Sequence, residues 1–161
     1  MRIGIVSDTH DHLRNVASIV AIFEAAGVAQ VVHTGDITQP KTLHAFASLA
    51  APLVGVYGNN DREREGLVRA CAQTGASFVD GPRELVWAER RILVIHDPKD
   101  LPSSRLAECD VLLHGHEHRP TLERRAGVLI VNPGECAGHF AGHNAVGVLD
   151  LATLAFELVK F

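Results

Sequence analysis

A mixed α/β fold with two sheets facing each other is what this sequence predicts, on three observations. The first half alternates short apolar runs with helical stretches. The second half reads as hairpins around one further buried strand. No linker, repeat or low-complexity tract separates the halves. At 161 residues the chain is long enough for a real core without staples, and one domain over residues 1–161 is expected.

The elements follow in order. Ile3–Val6 is an unbroken apolar run, as in a strand buried on both faces. Val16, Ile19, Val20 and Phe23 recur at helical spacing, and Gly27 closes that helix. Val31-Val32-His33 is the second strand. Lys41–Ala50 carries Leu43, Phe46 and Leu49 on one face, with Pro40 suited to the first turn. Leu53–Tyr57 is the third strand and Glu65–Thr74 the third helix, closed by Gly75. This alternation predicts parallel strands joined by right-handed crossovers. Asp80-Gly81-Pro82 then marks a turn. Arg83–Ala88 with Arg91–Ile95, Thr121–Arg124 with Val128–Val131, and Val146–Leu151 with Leu154–Phe161 read as three hairpins. A short helix at Ser103–Cys109 and a strand at Val111–Leu113 lie between the first two.

Composition narrows the function classes. A net charge of −4 offers no electrostatic footprint for stable nucleic-acid binding or for an anionic membrane. No stretch nears the roughly 20 apolar residues of a membrane span, and Ser7-Asp8 interrupts the only early apolar run. Cys71, Cys109 and Cys136 are odd in number and far apart, which argues against a disulfide framework and a thiolate zinc site. A cytoplasmic location is the expectation, with a homo-oligomer compatible with the sequence. The unusual count is ten His against one Trp, one Tyr and one Met, so the positions of the imidazoles carry the information.

Those positions are strand ends. Asp8 and His10 follow the first strand, Gly35-Asp36 the second and Gly58-Asn59-Asn60-Asp61 the third. His96-Asp97 follows Ile92–Ile95, and His114-Gly115-His116-Glu117-His118 follows Val111–Leu113. Open α/β sheets put their ligands at the carboxyl ends of strands, where groups distant in sequence converge. Singly, each group has a structural reading: Asp8 as a helix N-cap, Asp36 as a turn residue, the Gly-Asn-Asn-Asp run as a loop. Their joint occurrence, in order and each after a strand, points to one site. Carboxylate, imidazole and amide donors without thiolate suit Mn²⁺, Fe, Zn²⁺, Ni²⁺ or Mg²⁺. Seven such donors are too many for one tetrahedral ion and suit two ions sharing a carboxylate.

Asp-x-His, Gly-Asp, Gly-Asn-x-Asp, a lone His and Gly-His-x-His, in that order, resemble the calcineurin-like metallophosphoesterases, and in particular their small single-domain prokaryotic phosphodiesterases. Val131-Asn132-Pro133-Gly134 and Val146–Leu151 extend the resemblance to the C-terminus. It implies a four-layer α-β-β-α sandwich of two mixed sheets and a phosphodiesterase acting on a small phosphate ester, with a monoesterase as the alternative. It further implies two divalent metal ions, Mn²⁺ first among them. Asp8, His10 and His118 would hold one ion and Asn59, His96 and His116 the other, with Asp36 bridging. A hydroxide between the ions would attack phosphorus in line. Asp36, Asn60 and Asp61 are the candidate catalytic residues.

Two departures from the family pattern bear on mechanism. Asn60 stands where many members carry His, and an amide cannot donate a proton as an acid. This favours good leaving groups, or protonation by metal-bound water. Asp97-Pro98 stands where relatives continue Gly-His, placing a carboxylate close to an anionic substrate. A metallo-β-lactamase-type hydrolase would want its histidine cluster early, whereas here it is late. The rival from another class is a scaffold on the same fold, as in the retromer subunit whose metal site is degenerate. Among the other histidines, His114 is expected to point away from His116, His33 to pack in the core, and His12 and His44 to need no role. His139 and His143 flank Phe140 in a loop, Gly138–Asn144, that overhangs the site or is simply solvated.

Overall fold

The computed structural model describes residues 1–140 and 142–161; residue 141, within the loop just named, lies outside them. Among the described residues eleven strands form two sheets, flanked by three α-helices. The parallel half of the first sheet is β1 (Arg2–Val6), β2 (Gln30–His33), β3 (Leu53–Val56) and β4 (Ser77–Val79), and β10 (Ala145–Asp150) and β11 (Phe156–Lys160) add an antiparallel edge, in the order β11-β10-β1-β2-β3-β4. The crossovers are α1 (Leu13–Ala26), α2 (Pro40–Phe46) and α3 (Arg64–Thr74). Because β1 to β4 advance in one direction, right-handed crossovers put all three helices on one face. The second sheet has the order β5-β6-β7-β9-β8, built from β5 (Arg83–Trp87), β6 (Arg90–Val94), β7 (Val111–Leu113), β8 (Thr121–Arg125) and β9 (Val128–Asn132).

Three apolar clusters define the layers. Val16, Ile19, Phe23, Leu43, Phe46 and Leu67 pack the helices on one face of the first sheet. Ile3, Ile5, Val32, Val94, Leu113 and Leu149 fill the space between the sheets. Leu93, Ile95, Leu112 and Ile130 lie on the outer face of the second sheet, under Leu101 and Leu106. The layering is that of an α-β-β-α sandwich, but the fourth layer consists of the 3-10 turns Pro98–Asp100 and Ser103–Glu108 rather than of α-helices. No helix among the described residues is long and apolar enough to cross a membrane.

Two elements differ from the sequence expectation. The helix predicted over Lys41–Ala50 ends at Phe46. Leu49 still reaches the core, but through a turn, and the Ala50 N–H donates to Glu24 (2.7 Å) instead of continuing the helix. The edge strand β4 was not expected at all. It has three residues and no alternating apolar pattern, and it exists because β3 offers a free edge and Gly75 turns the chain back along it.

The topology positions the site. The carboxyl ends of β1, β2 and β3 open at one edge of the first sheet, and those of the mutually parallel β6, β7 and β9 at one edge of the second. The edges are joined: the His96 Nδ1–H donates to the Thr34 carbonyl (2.9 Å), and the His116 N–H donates to Asp8 Oδ2 (3.1 Å).

Truncating Leu113, fully buried between the sheets, to Ala should cost about 2–5 kcal/mol, measured by urea denaturation. His33 makes a second prediction. The Gly35 N–H donates to its Nδ1, and its Nε2 meets Thr9 Oγ1 at 3.1 Å, an arrangement that requires the neutral ring. Complete burial pushes its pKa down to about 3. The unfolded chain therefore binds this proton first, and the contribution present above about pH 6.5 is lost as pH falls toward 3. His33→Gln should flatten the acid side of the stability–pH curve.

Candidate metal centre

Local backbone geometry turns the strand ends inward. Asp8 (φ 51°), His10 (φ 41°), Asp36 (φ 60°), His116 (φ 68°) and His118 (φ 54°) all adopt the left-handed conformation that non-glycine residues rarely take. Such residues cost of order 1–3 kcal/mol each, and they persist only where the surroundings over-determine them. Two glycines make the required approach possible. A Cβ on Gly58 would lie 2.6 Å from the Asp36 backbone nitrogen and overlap its carboxylate, and one on Gly115 would overlap the Ser7 hydroxyl and lie 2.8 Å from Asp8 Oδ2.

Asp36 lies at the centre. Its Oδ1 accepts from the Asn60 backbone N–H (2.9 Å) and its Oδ2 from the Asn60 side-chain amide (2.7 Å). Its Oδ2 also faces His10 Nε2 (3.4 Å) and His96 Nε2 (3.5 Å). Burial opposes ionisation here, but the hydrogen bond and charge of His96, together with the Asn60 bonds, outweigh it and hold the carboxyl well below the usual range. The reciprocal attraction raises the His96 pKa against its own burial.

One donor set lies on the His10 side. Asp8 Oδ1 is 3.4 Å from His118 Nε2 and 3.9 Å from His10 Nε2. Both Asp8 Oδ1 and His10 Nε2 are buried without a hydrogen-bond partner. Burial raises the Asp8 pKa and lowers that of His10, so neither charged form is well compensated by the protein alone. A second set lies on the other side of Asp36. Asn59 Oδ1, His96 Nε2 and His116 Nδ1 are mutually 3.0, 3.1 and 3.3 Å apart. Ligands at ~2.1 Å from an ion lie ~3.0 Å apart at right angles and ~3.4 Å apart in a tetrahedron. The spacing and the unpartnered buried atoms are those a cation would satisfy.

The surroundings decide which ring nitrogen is presented. The Thr34 carbonyl can only accept, so His96 donates from Nδ1, and in the neutral ring the lone pair of Nε2 faces inward. His118 Nδ1 lies 2.9 Å from Glu135 Oε2, which fixes the same tautomer there. His116 places Nε2 3.4 Å from Asp97 Oδ2.

All seven residues assigned to metal from the sequence thus lie around one cleft. The candidate catalytic residues Asn60 and Asp61 face Asp36 and its backbone. Asp61 is buried and accepts from the Asp36, Gly58 and Thr38 N–H groups, at 3.0, 2.6 and 2.6 Å. Its burial raises its pKa despite those bonds. The N-cap of α1 is His12 rather than Asp8, with Nδ1 accepting from the Asn15 N–H (3.3 Å). His114 faces a cavity on the outer side of the second sheet, away from His116. His139 stacks on His118, with centroids 5.6 Å apart, and lies 5.3 Å from His10.

Sequence reasoning missed Glu135. It is fully buried, with Oε2 on His118 and Oε1 accepting from the Phe140 N–H (3.0 Å). The available signal was positional. β9 runs parallel to β7, so Glu135, just beyond β9, reaches the same edge as His116 and His118. Reading β8 and β9 only as a hairpin concealed this. Partners that orient a metal-bound imidazole typically contribute 10–100-fold in affinity. Glu135→Ala should therefore weaken divalent-cation binding by about that factor, measured by titration calorimetry on the cation-stripped protein.

The chain is similar to known proteins over nearly its whole length. Residues 1–154 match the family described as the calcineurin-like phosphoesterase superfamily domain. A phosphodiesterase of Methanocaldococcus jannaschii is 32% identical over 154 residues, covering 93% of each chain. The solved structure of an archaeal phosphodiesterase superposes with a TM-score of 0.89 at 31% identity over the full length of both chains. Escherichia coli YfcE, a phosphoesterase, shares the fold with a TM-score of 0.75 at 20% identity, over 99% of this chain and 98% of that one. With the family match spanning residues 1–154 and a relative 32% identical over 93% of both chains, this chain belongs to the calcineurin-like phosphoesterase superfamily.

Proposed function

We propose that this chain is a metal-dependent phosphodiesterase with a dinuclear centre, one domain of residues 1–161 carrying the whole site. The observation that carries the reading is the pair of donor sets meeting at Asp36 Oδ2, one of them with buried, unpartnered Asp8 Oδ1 and His10 Nε2. Asp8, His10 and His118 would hold one cation and Asn59, His96 and His116 the other, with Asp36 between them. When bound, two such cations would lower the pKa of water from its bulk value toward ~7 and offset negative charge on the phosphate. The hard and borderline donors suit Mn²⁺, Ni²⁺, Fe, Zn²⁺ or Mg²⁺, and the family resemblance puts Mn²⁺ first.

The remaining residues position rather than react. Asn60 commits its amide and its backbone N–H to Asp36, so it orients the shared carboxylate and supplies no proton. Asp61 holds the backbone of Asp36 and Gly58. A chain without an acid at position 60 should favour esters with good leaving groups, aryl diesters over alkyl monoesters. The scaffold alternative would be favoured by a contiguous exposed apolar patch. Among the described residues the exposed large apolar side chains are Met1, Leu13, Val68, Val79, Val86, Leu122 and Phe140, spread over the N-terminal residue, α1, α3, β4, β5, β8 and the loop after Gly138. Free Cys71, Cys109 and Cys136 support a reducing, cytoplasmic setting.

The test is cation-stripped protein reloaded with Mn²⁺, Ni²⁺, Zn²⁺ or Mg²⁺ and assayed on paired aryl phosphate di- and monoesters. Turnover is expected with Mn²⁺ and higher on the diester. Asp36→Asn and Asn59→Ala should lower kcat by roughly 10²–10³-fold, the several kcal/mol of Lewis-acid stabilisation expressed as a rate. Asn60→Ala should lower kcat without changing the shape of the pH–rate profile; loss of an acidic limb near neutrality would assign Asn60 a different role. No turnover with any metal on either ester class would leave the scaffold reading as the better one.

A further inference from the structure

A cavity of about 260 Å³ opens beside the second donor set and shares Asn59, His96 and His116 with it. This lies below the ~300–1,000 Å³ usual for whole small-molecule sites, so it suits one arm of a diester rather than a complete ligand. Its apolar wall residues are Tyr57, Pro82 and Ile95, and its acidic wall residues are Asp97 and Asp100.

Within the cavity Asp97 Oδ2 faces His116 Nε2 at 3.4 Å, whereas Asp100 has no ion pair among the described residues. Among the described residues no lysine or arginine lines this cavity. Lys99, between the two acids in sequence, lines a different cavity on the outer face of the second sheet. Arg64 lies 3.9 Å over the Tyr57 ring, but its guanidinium is paired with Asp80 at 2.9 Å. Asp97 Oδ1 accepts from the Lys99 N–H (2.9 Å), a bond that orients the carboxylate and leaves its charge in place. The opposite flank differs: beyond His118, a second cavity carries Arg119 and His143 together with Glu117. The two arms of a bound diester would therefore meet unlike fields.

Resting on the phosphodiesterase reading, we propose that Asp97 and Asp100 select the substrate. The site takes phosphodiesters with one arm that has an apolar body and a neutral or cationic end, and it rejects arms bearing a further anionic group. The apolar wall receives the body of the arm, and the acidic wall attracts a cationic end. An anionic end would be set against two carboxylates in a concave site, where like-charge juxtaposition is costly. Asp100 is the residue to alter, because it is exposed and is not among the proposed cation-holding groups.

The experiment uses the full chain reloaded with Mn²⁺ and three 4-nitrophenyl phosphodiesters of similar size, with 3-aminopropyl, butyl or 2-carboxyethyl as the second arm. The expected order of kcat/KM is amino, butyl, carboxy, with roughly three- to tenfold between the extremes. Asp100→Lys should reverse that order and Asp100→Asn should narrow it, with folding of both variants checked by thermal unfolding. Equal kcat/KM for the three arms, or an unchanged order in Asp100→Lys, overturns the selection while leaving the phosphodiesterase reading intact. Absence of turnover on all three overturns both.

Discussion

Everything at the cleft depends on one buried carboxylate held between two sheets. Asp36 is at most 1% exposed, so its ionised form must be stabilised by direct contacts rather than by water. Asn60 supplies two of these from the neighbouring loop, and His10 and His96 approach from opposite sides. Removing any one contact leaves a buried charge under-compensated, which is the state proteins tolerate least. The same geometry makes Asp36 the group that both donor sets can share.

Holding Asp36 there requires strained backbone, and the rest of the fold stabilises it. Five of the seven proposed ligands have positive φ. The strain is tolerated because the turns are tied down on the side away from the cleft. Asp61 accepts three backbone N–H groups, the Asp8 N–H donates to the Gly35 carbonyl (3.0 Å), and the Gly115 N–H to the His96 carbonyl (3.0 Å). A loop would not hold such conformations, but strand ends anchored in a packed core do. The inter-sheet cluster around Ile5, Val32 and Leu113 thus serves the site directly, by fixing how the two rows of strand ends face each other.

The two sheets are unequally protected. The first is covered by three α-helices, whereas the second is covered on its outer face only by two 3-10 turns. The first of those turns begins directly after Asp97, and the second at Ser103. The segment that closes the thin layer therefore also carries Asp97 and Asp100, so the substrate selection proposed above rests on the part of the fold with the least helical support.

The alternation of strands and helices, the strand-end positions of Asp8, His10, Asp36, Asn59, His96, His116 and His118, and the family were legible in the chain alone. These are local signals: continuous apolar runs, helical periodicity, and polar residues placed immediately after a run. What depends on partners distant in sequence was settled in three dimensions. β4 formed because β3 had an edge to offer, α2 stopped short because a turn could bury Leu49, and Glu135 joined the site because β9 runs parallel to β7. Asn60 and Asp61 were candidate catalytic residues from the sequence, and in space both are bound to Asp36 and its backbone. The direction of a side chain at a strand end is set by the φ of one residue and by the groups across the cleft, and neither leaves a periodic trace in the sequence.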